Sequence, residues 1–175
     1  GIDPAKNIAS YANANGIKTL PNFFSFQLSN EIKKKYKNVG LIFARNVIPH
    51  VKNIHSIVKG VSNLSNTSTI CAIEFHYSKH IIKELQYDSI YHEHLFYFSI
   101  ETISGLFAKY NLHPFDVFAS PISGGSLVLL FSKDKKVKSK NFKELEKLEK
   151  KEKINSYEIW KNFSSKSQKH ANNFK

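Results

Sequence analysis

Apolar residues recur along this chain in two rhythms that trade places several times. Residues 7–15 carry them at helical spacing and stop at Gly16, which suits the end of a helix because it has no Cβ. Residues 17–20 read as a short strand, followed by a loop through Pro21, and residues 29–37 as a helix capped by Ser29 or Asn30. A mostly apolar run over 39–44 predicts a buried strand, 53–64 a helix, and 69–75 another strand with β-branched and aromatic residues on both faces. Strand and helix alternating through short links predict a parallel sheet in an α/β fold.

The rhythm changes after residue 76. Residues 77–86 read as helical, and residues 99–110 place Ile100, Ile103, Leu106, Phe107 and Tyr110 on one helix face. Residues 113–119 and 126–132 read as two strands joined by Pro121-Ile122-Ser123-Gly124-Gly125, an antiparallel pair at the sheet edge. From Lys133 the chain turns polar and lysine-rich, and helices are expected over 141–153 and 156–171. The expected organisation is one domain over 1–132, a linker over 133–140 and the start of another domain over 141–175.

Composition narrows the function classes. The chain has 175 residues, 41% of them hydrophobic and 13% aromatic, enough to bury a core. Its net charge of +12 is uneven: 12 basic residues face 8 acidic ones up to Ser132, and 14 face 6 from Lys133 on. The tail lysines alternate with Glu144, Glu146, Glu149 and Glu152, the pattern of a solvated, ion-paired helix rather than of a nucleic-acid surface. A single Cys71 excludes a disulfide framework and a cysteine zinc cage within the chain. No apolar run approaches the roughly 20 residues that span a bilayer, so a cytoplasmic protein with no membrane and no nucleic-acid partner is expected. The absence of methionine and the start at Gly1 suggest a piece of something longer.

The densest chemistry lies in residues 87–99, Tyr-Asp-Ser-Ile-Tyr-His-Glu-His-Leu-Phe-Tyr-Phe-Ser. His92, Glu93 and His94 handle protons near neutral pH. His92-x-His94 supplies only two metal ligands with no third nearby, so metal binding is not expected there. Ligands of open parallel sheets bind outside the carboxyl ends of the strands, where Asp3, residues 22–24, residues 45–50 and this stretch should fall. Asp3 either meets a ribose there or caps a helix beginning at Pro4 or Ala5. Tyr97 and Phe98 fit core packing, and Gly124-Gly125 either a tight turn or a close backbone approach to a ligand.

A family resemblance rests on several short motifs taken together. They are Gly1-Ile2-Asp3-Pro4, Phe23-Phe24, Ala44-Arg45-Asn46-Val47-Ile48-Pro49-His50, Tyr87 through His94, Tyr97-Phe98-Ser99 and Gly124-Gly125-Ser126. In order and spacing the chain resembles the class I S-adenosylmethionine-dependent C-methyltransferases of nucleotide-linked deoxy keto sugars, which methylate carbon 3 beside a keto group at carbon 4. The resemblance implies a Rossmann-like sheet lacking its first strand and glycine-rich cofactor loop, with zinc confined to a region absent from this chain. It implies S-adenosylmethionine as cofactor, with Asp3 on the ribose, Phe23 or Phe24 on adenine and Asn46 near the cofactor or the sugar. For catalysis it implies His94 as base, Glu93 orienting an imidazole or binding a sugar hydroxyl, and Tyr91 and His50 as donors to the keto oxygen. Gly124, Gly125 and Ser126 would meet the substrate, whereas Ser123 stands where family members often have histidine and Asn22 where many have an acid. Methyl transfer to oxygen or nitrogen of a small metabolite, and a non-catalytic module binding a polyanion through its tail, are the competing readings.

Overall fold

The computed structural model describes residues 1–173. Its sheet has four strands in the order β1-β2-β4-β3: β1 Leu41–Arg45, β2 Ile70–His76, β3 His113–Ser120 and β4 Ser126–Ser132. β1 runs parallel to β2, from Leu41 opposite Ile70 to Arg45 opposite Glu74. β4 lies between β2 and β3 and is antiparallel to both, so the expected antiparallel pair forms with β3 outermost. Helices α1 (Lys6–Ala14), α2 (Phe26–Lys35), α3 (Ile54–Leu64), α4 (Ser78–Lys83), α5 (Ile100–Ala108), α6 (Lys140–Glu152) and α7 (Tyr157–Asn172) complete the fold. The result is the expected α/β architecture.

Several expectations shift for local physical reasons. Residues 17–20 form no strand; Leu20 makes one parallel bridge to Ile2, through Asp3 N–H to Leu20 O and Leu20 N–H to Gly1 O. α2 starts three residues early because the Ser25 hydroxyl accepts from Leu28 N–H at 3.1 Å, while Ser29 is buried and donates to Phe26 O. The run over 77–86 is helical only to Lys83, since Leu85 adopts a left-handed φ of 55°. β1 is not the buried strand its sequence predicts: Leu41 is 64% and Phe43 56% exposed, because one of its edges has no neighbour.

Inside, Phe75 at the end of β2, Phe107 of α5 and Phe131 of β4 are fully buried, and the rings of Phe107 and Phe131 stack at 4.4 Å. Each such ring contributes about 1.5–3 kcal/mol by leaving water. The tail is docked rather than free. Phe142 of α6 is buried, and the buried Glu149 carboxylate accepts from Ile100 N–H at 2.6 Å and Glu101 N–H at 3.2 Å at the start of α5. A carboxylate there meets the positive end of the helix dipole and two amides that lack partners in their own helix. Burial pushes its pKa up, against the two amide bonds. Glu149 is therefore not one of the solvated charges its position among the lysines predicts.

Candidate active site at the carboxyl ends of the parallel strands

β1 and β2 end side by side, and the polar residues that follow them converge. Arg45 and Glu74, opposite each other in register, form an ion pair at 3.0 Å, and Ser120 from β3 donates to the buried Glu74 at 2.7 Å. Asn46 follows in a left-handed conformation, φ 50°, with its N–H on Glu74 O. Such strain in a residue other than glycine persists where the surroundings impose it, commonly at functional sites.

The stretch 87–99 is held against this strand end by backbone. Pro49 O accepts from Leu95 N–H at 2.9 Å and Phe96 N–H at 3.2 Å, and Phe98 O accepts from Ser78 N–H. Phe98 is buried edge-on to Phe75 at 6.1 Å, and Ser99 begins α5 with a reciprocal capping box to Thr102. Tyr97 is half-buried. Its hydroxyl donates to Ser89 O at 3.4 Å, and burial raises its pKa.

Carbonyl partners fix the imidazole tautomers, because a carbonyl can only accept. His94 Nδ1 lies 3.0 Å from Ser89 O, so Nδ1 carries the proton and Nε2 presents its lone pair, 3.3 Å from the Tyr91 hydroxyl. His50 Nδ1 lies 3.0 Å from Glu93 O, so its Nε2 likewise accepts, here from the Asn46 amide at 3.3 Å. The His50 and His94 rings are 4.7 Å apart, and those of Tyr91 and His94 4.4 Å. Asn46, His50, Tyr91 and His94 thus form one cluster. Glu93 contributes its carbonyl, whereas its carboxylate is 64% exposed and lies 3.9 Å from His92.

The other expected residues are placed elsewhere or differently. Asp3 Oδ1 accepts from Ala5 N–H at 2.8 Å, a turn two residues long that precedes α1 rather than the expected cap, since α1 begins at Lys6 and its N-cap Ala5 receives no side-chain hydrogen bond. Phe24 packs on Gly60, where even a Cβ would come within 3.0 Å of the ring, while Phe23 is 81% exposed. Gly124 and Gly125 have φ of 70° and 118°, and a Cβ on them would strike the Gln86 amide and the His80 ring. The turn therefore packs closely on the segment after β2. Ser126 is buried and donates to Ile122 O.

Two residues escaped the sequence reading. His76, the last residue of β2, is 5% exposed and sits beside Gln86, its Nε2 2.8 Å from Gln86 Oε1. Desolvation lowers its pKa, with His94 and His80 adding to the effect. Nothing in the local pattern marks either residue; only the strand register and the turn after α4 bring them together. Among the described residues no group of three His, Cys, Asp or Glu side chains is arranged to hold a metal.

A cleft of about 730 Å³ lies along the open edge of β1, not over this cluster. Ile2, Leu20, Leu28, Leu41, Phe43 and Val61 are among the residues that line it.

Comparison with known proteins fits this geometry. Over 129 residues the chain is 34% identical to the C-methyltransferase NovU of Streptomyces niveus, a match covering 74% of the chain and 31% of the relative. The chain is homologous to part of a C-methyltransferase. It spans about a third of that relative's length. A SAM-dependent methyltransferase of Thermotoga maritima superposes with a TM-score of 0.56 at 13% identity, covering 77% of this chain and 72% of the other. A chain of Galdieria sulphuraria assigned to sarcosine dimethylglycine methylation gives 0.51 at 13% identity, covering 78% and 69%. These two likenesses show the fold, a Rossmann-like class I methyltransferase sheet. No family model matches the chain.

Proposed function

We propose that this chain carries the deprotonation site of an S-adenosylmethionine-dependent C-methyltransferase acting on carbon 3 of a nucleotide-linked 4-keto deoxy sugar. The observation that carries the reading is the fixed tautomer of His94. With Nδ1–H held by Ser89 O, the Nε2 lone pair is presented beside the Tyr91 hydroxyl, as removal of a proton next to a carbonyl requires. Tyr91 O–H is then the donor that can move from His94 to the oxygen on which charge develops. His50 donates there only after gaining a proton, because its Nδ1–H is committed to Glu93 O.

Bound S-adenosylmethionine would supply the electrophilic methyl group. The residues present suit it in part: Asn46 Oδ1 is buried without a partner among the described residues, an acceptor in want of a donor, and the second Asp3 oxygen and the exposed Phe23 ring could meet ribose and adenine. The cleft beside β1 supports a further parallel strand completing the sheet, since Ile2 and Leu20 pair in the parallel sense on its far side. That strand would bring the remaining cofactor contacts, and residues 141–173 would begin a further domain.

The test is proton exchange. In deuterated water, the enzyme assembled around this chain, with a non-reactive cofactor analogue, should exchange the carbon-3 proton of a nucleotide-linked 4-keto sugar. Absence of exchange across a panel of such sugars would overturn the assignment. Transfer to oxygen or nitrogen needs no such base, so His94→Asn would then leave turnover largely intact.

A further inference from the structure

His76 is the most enclosed titratable group next to the cluster, and the reading of the site gives it no part. Its tautomer follows from its neighbours. Gln86 Nε2 donates to Glu84 Oε2 at 2.7 Å and to Gly124 O at 2.9 Å, which turns Gln86 Oε1 toward His76. An amide oxygen accepts, so His76 Nε2 carries the proton and Nδ1 is a bare lone pair. That Nδ1 is buried and has no partner among the described residues. Enclosing an acceptor with nothing to accept from opposes folding, and such groups are retained where function uses them.

Its position agrees. His76 pairs in register with Ser126 of β4, and through Gln86 it is tied to Gly124, so the strand end and the glycine turn meet at this ring. His94, His80 and Asp88 are near enough to act on its charge. Arg45 at the end of β1 is engaged by Glu74, and Lys79 and Lys83 just after β2 are engaged by Glu152. The cations nearest in sequence to this ring are therefore already paired. Such surroundings suit a neutral hydroxyl and disfavour a carboxylate or phosphate.

We propose that His76 Nδ1 is a substrate-binding atom that accepts a hydrogen bond from a ring hydroxyl of the sugar at the end of β2. This rests on the sugar-nucleotide reading above. Nδ1 is sealed from solvent, so the hydroxyl displaces packing atoms rather than water, and binding includes a local adjustment.

The test uses the chain labelled with ¹⁵N-histidine and titrated with uridine diphosphate glucose, with uridine diphosphate alone as reference. The His76 Nδ1 resonance should move upfield with the sugar nucleotide and not with the nucleotide. His76→Gln keeps a donor for Gln86 but removes the Nδ1 acceptor, so it should leave the melting temperature unchanged and weaken binding about 2- to 10-fold, the worth of one neutral hydrogen bond. His76→Asn restores an acceptor near Nδ1 but loses Gln86, so it should lower the melting temperature and hold the affinity within about twofold by the same measure. Unchanged affinity in His76→Gln, or movement of His94 resonances without His76, makes the ring structural and overturns the proposal. Stillness of both histidines overturns the site reading and this proposal with it.

Discussion

The two flanks of β1 are built on opposite terms. At its carboxyl end, Asn46, His50, Tyr91 and His94 are joined by hydrogen bonds of 3.0 or 3.3 Å, and carbonyls of the same loops set the imidazole tautomers. Along its free edge lies an apolar cleft of about 730 Å³ with Leu41 and Phe43 exposed on its wall. The first region is ordered by what the chain already contains. The second is an open apolar surface. Volume and tautomer control therefore point to different flanks, and the proposed chemistry rests on the second criterion rather than on pocket size.

Base removal is the change that should separate the flanks most. His94→Asn is expected to lower carbon-3 exchange in the assembled enzyme by about 10²- to 10⁴-fold, the contribution of a positioned general base. Glu93→Gln, whose carboxylate is exposed, should change it by less than about threefold, as expected for a group outside the proton path. Equal losses in the two variants would break the distinction drawn within the cluster. On the other flank, Phe43→Ala should cost less than about 1 kcal/mol in urea unfolding, since the ring is half exposed. Phe131→Ala, at a fully buried site, should cost about 3–5 kcal/mol. If Phe43 proved as costly as Phe131, the open edge would already be packed in solution.

Much of the fold was legible because periodicity reports which face of an element is buried. The alternation through residue 75 and the pattern of Ile100, Ile103 and Phe107 were enough to place sheet and helix. β1 misled because an apolar run looks the same whether its neighbour is present or not, so its exposed edge could not be read from Leu41 to Ala44. Glu149 misled because its lysine neighbours suggest solvent, whereas the amides of α5 that receive it lie 48 and 49 residues away. Within the candidate site, the His-rich stretch was visible from composition. Tyr91 and His94 meet three residues apart in one loop. His76 was not visible. Its partner Gln86 is ten residues distant and is turned by Gly124, a further 38 along, so no local motif could signal it.

The smallest effect is a pH dependence that checks whether His76 belongs to the ordered flank. Desolvation lowers its folded pKa from the ordinary 6.5. The unfolded chain therefore binds the proton more readily between that lowered value and 6.5. Stability should rise with pH through this window, by no more than about 1.4 kcal/mol per unit for one group, and be fully present above it. Glu149, whose folded pKa is raised from 4.5, acts in the opposite sense. Its ionisation weakens the fold as pH rises from 4.5 through the raised value. The two can partly cancel in the parent protein, so the informative quantity is a difference. Urea unfolding of the parent and His76→Gln across pH 4.5–7.5 should give curves that diverge progressively below pH 6.5, the parent losing more. Parallel curves would mean that the imidazole is solvated, and the enclosed acceptor on which its binding role depends would not exist.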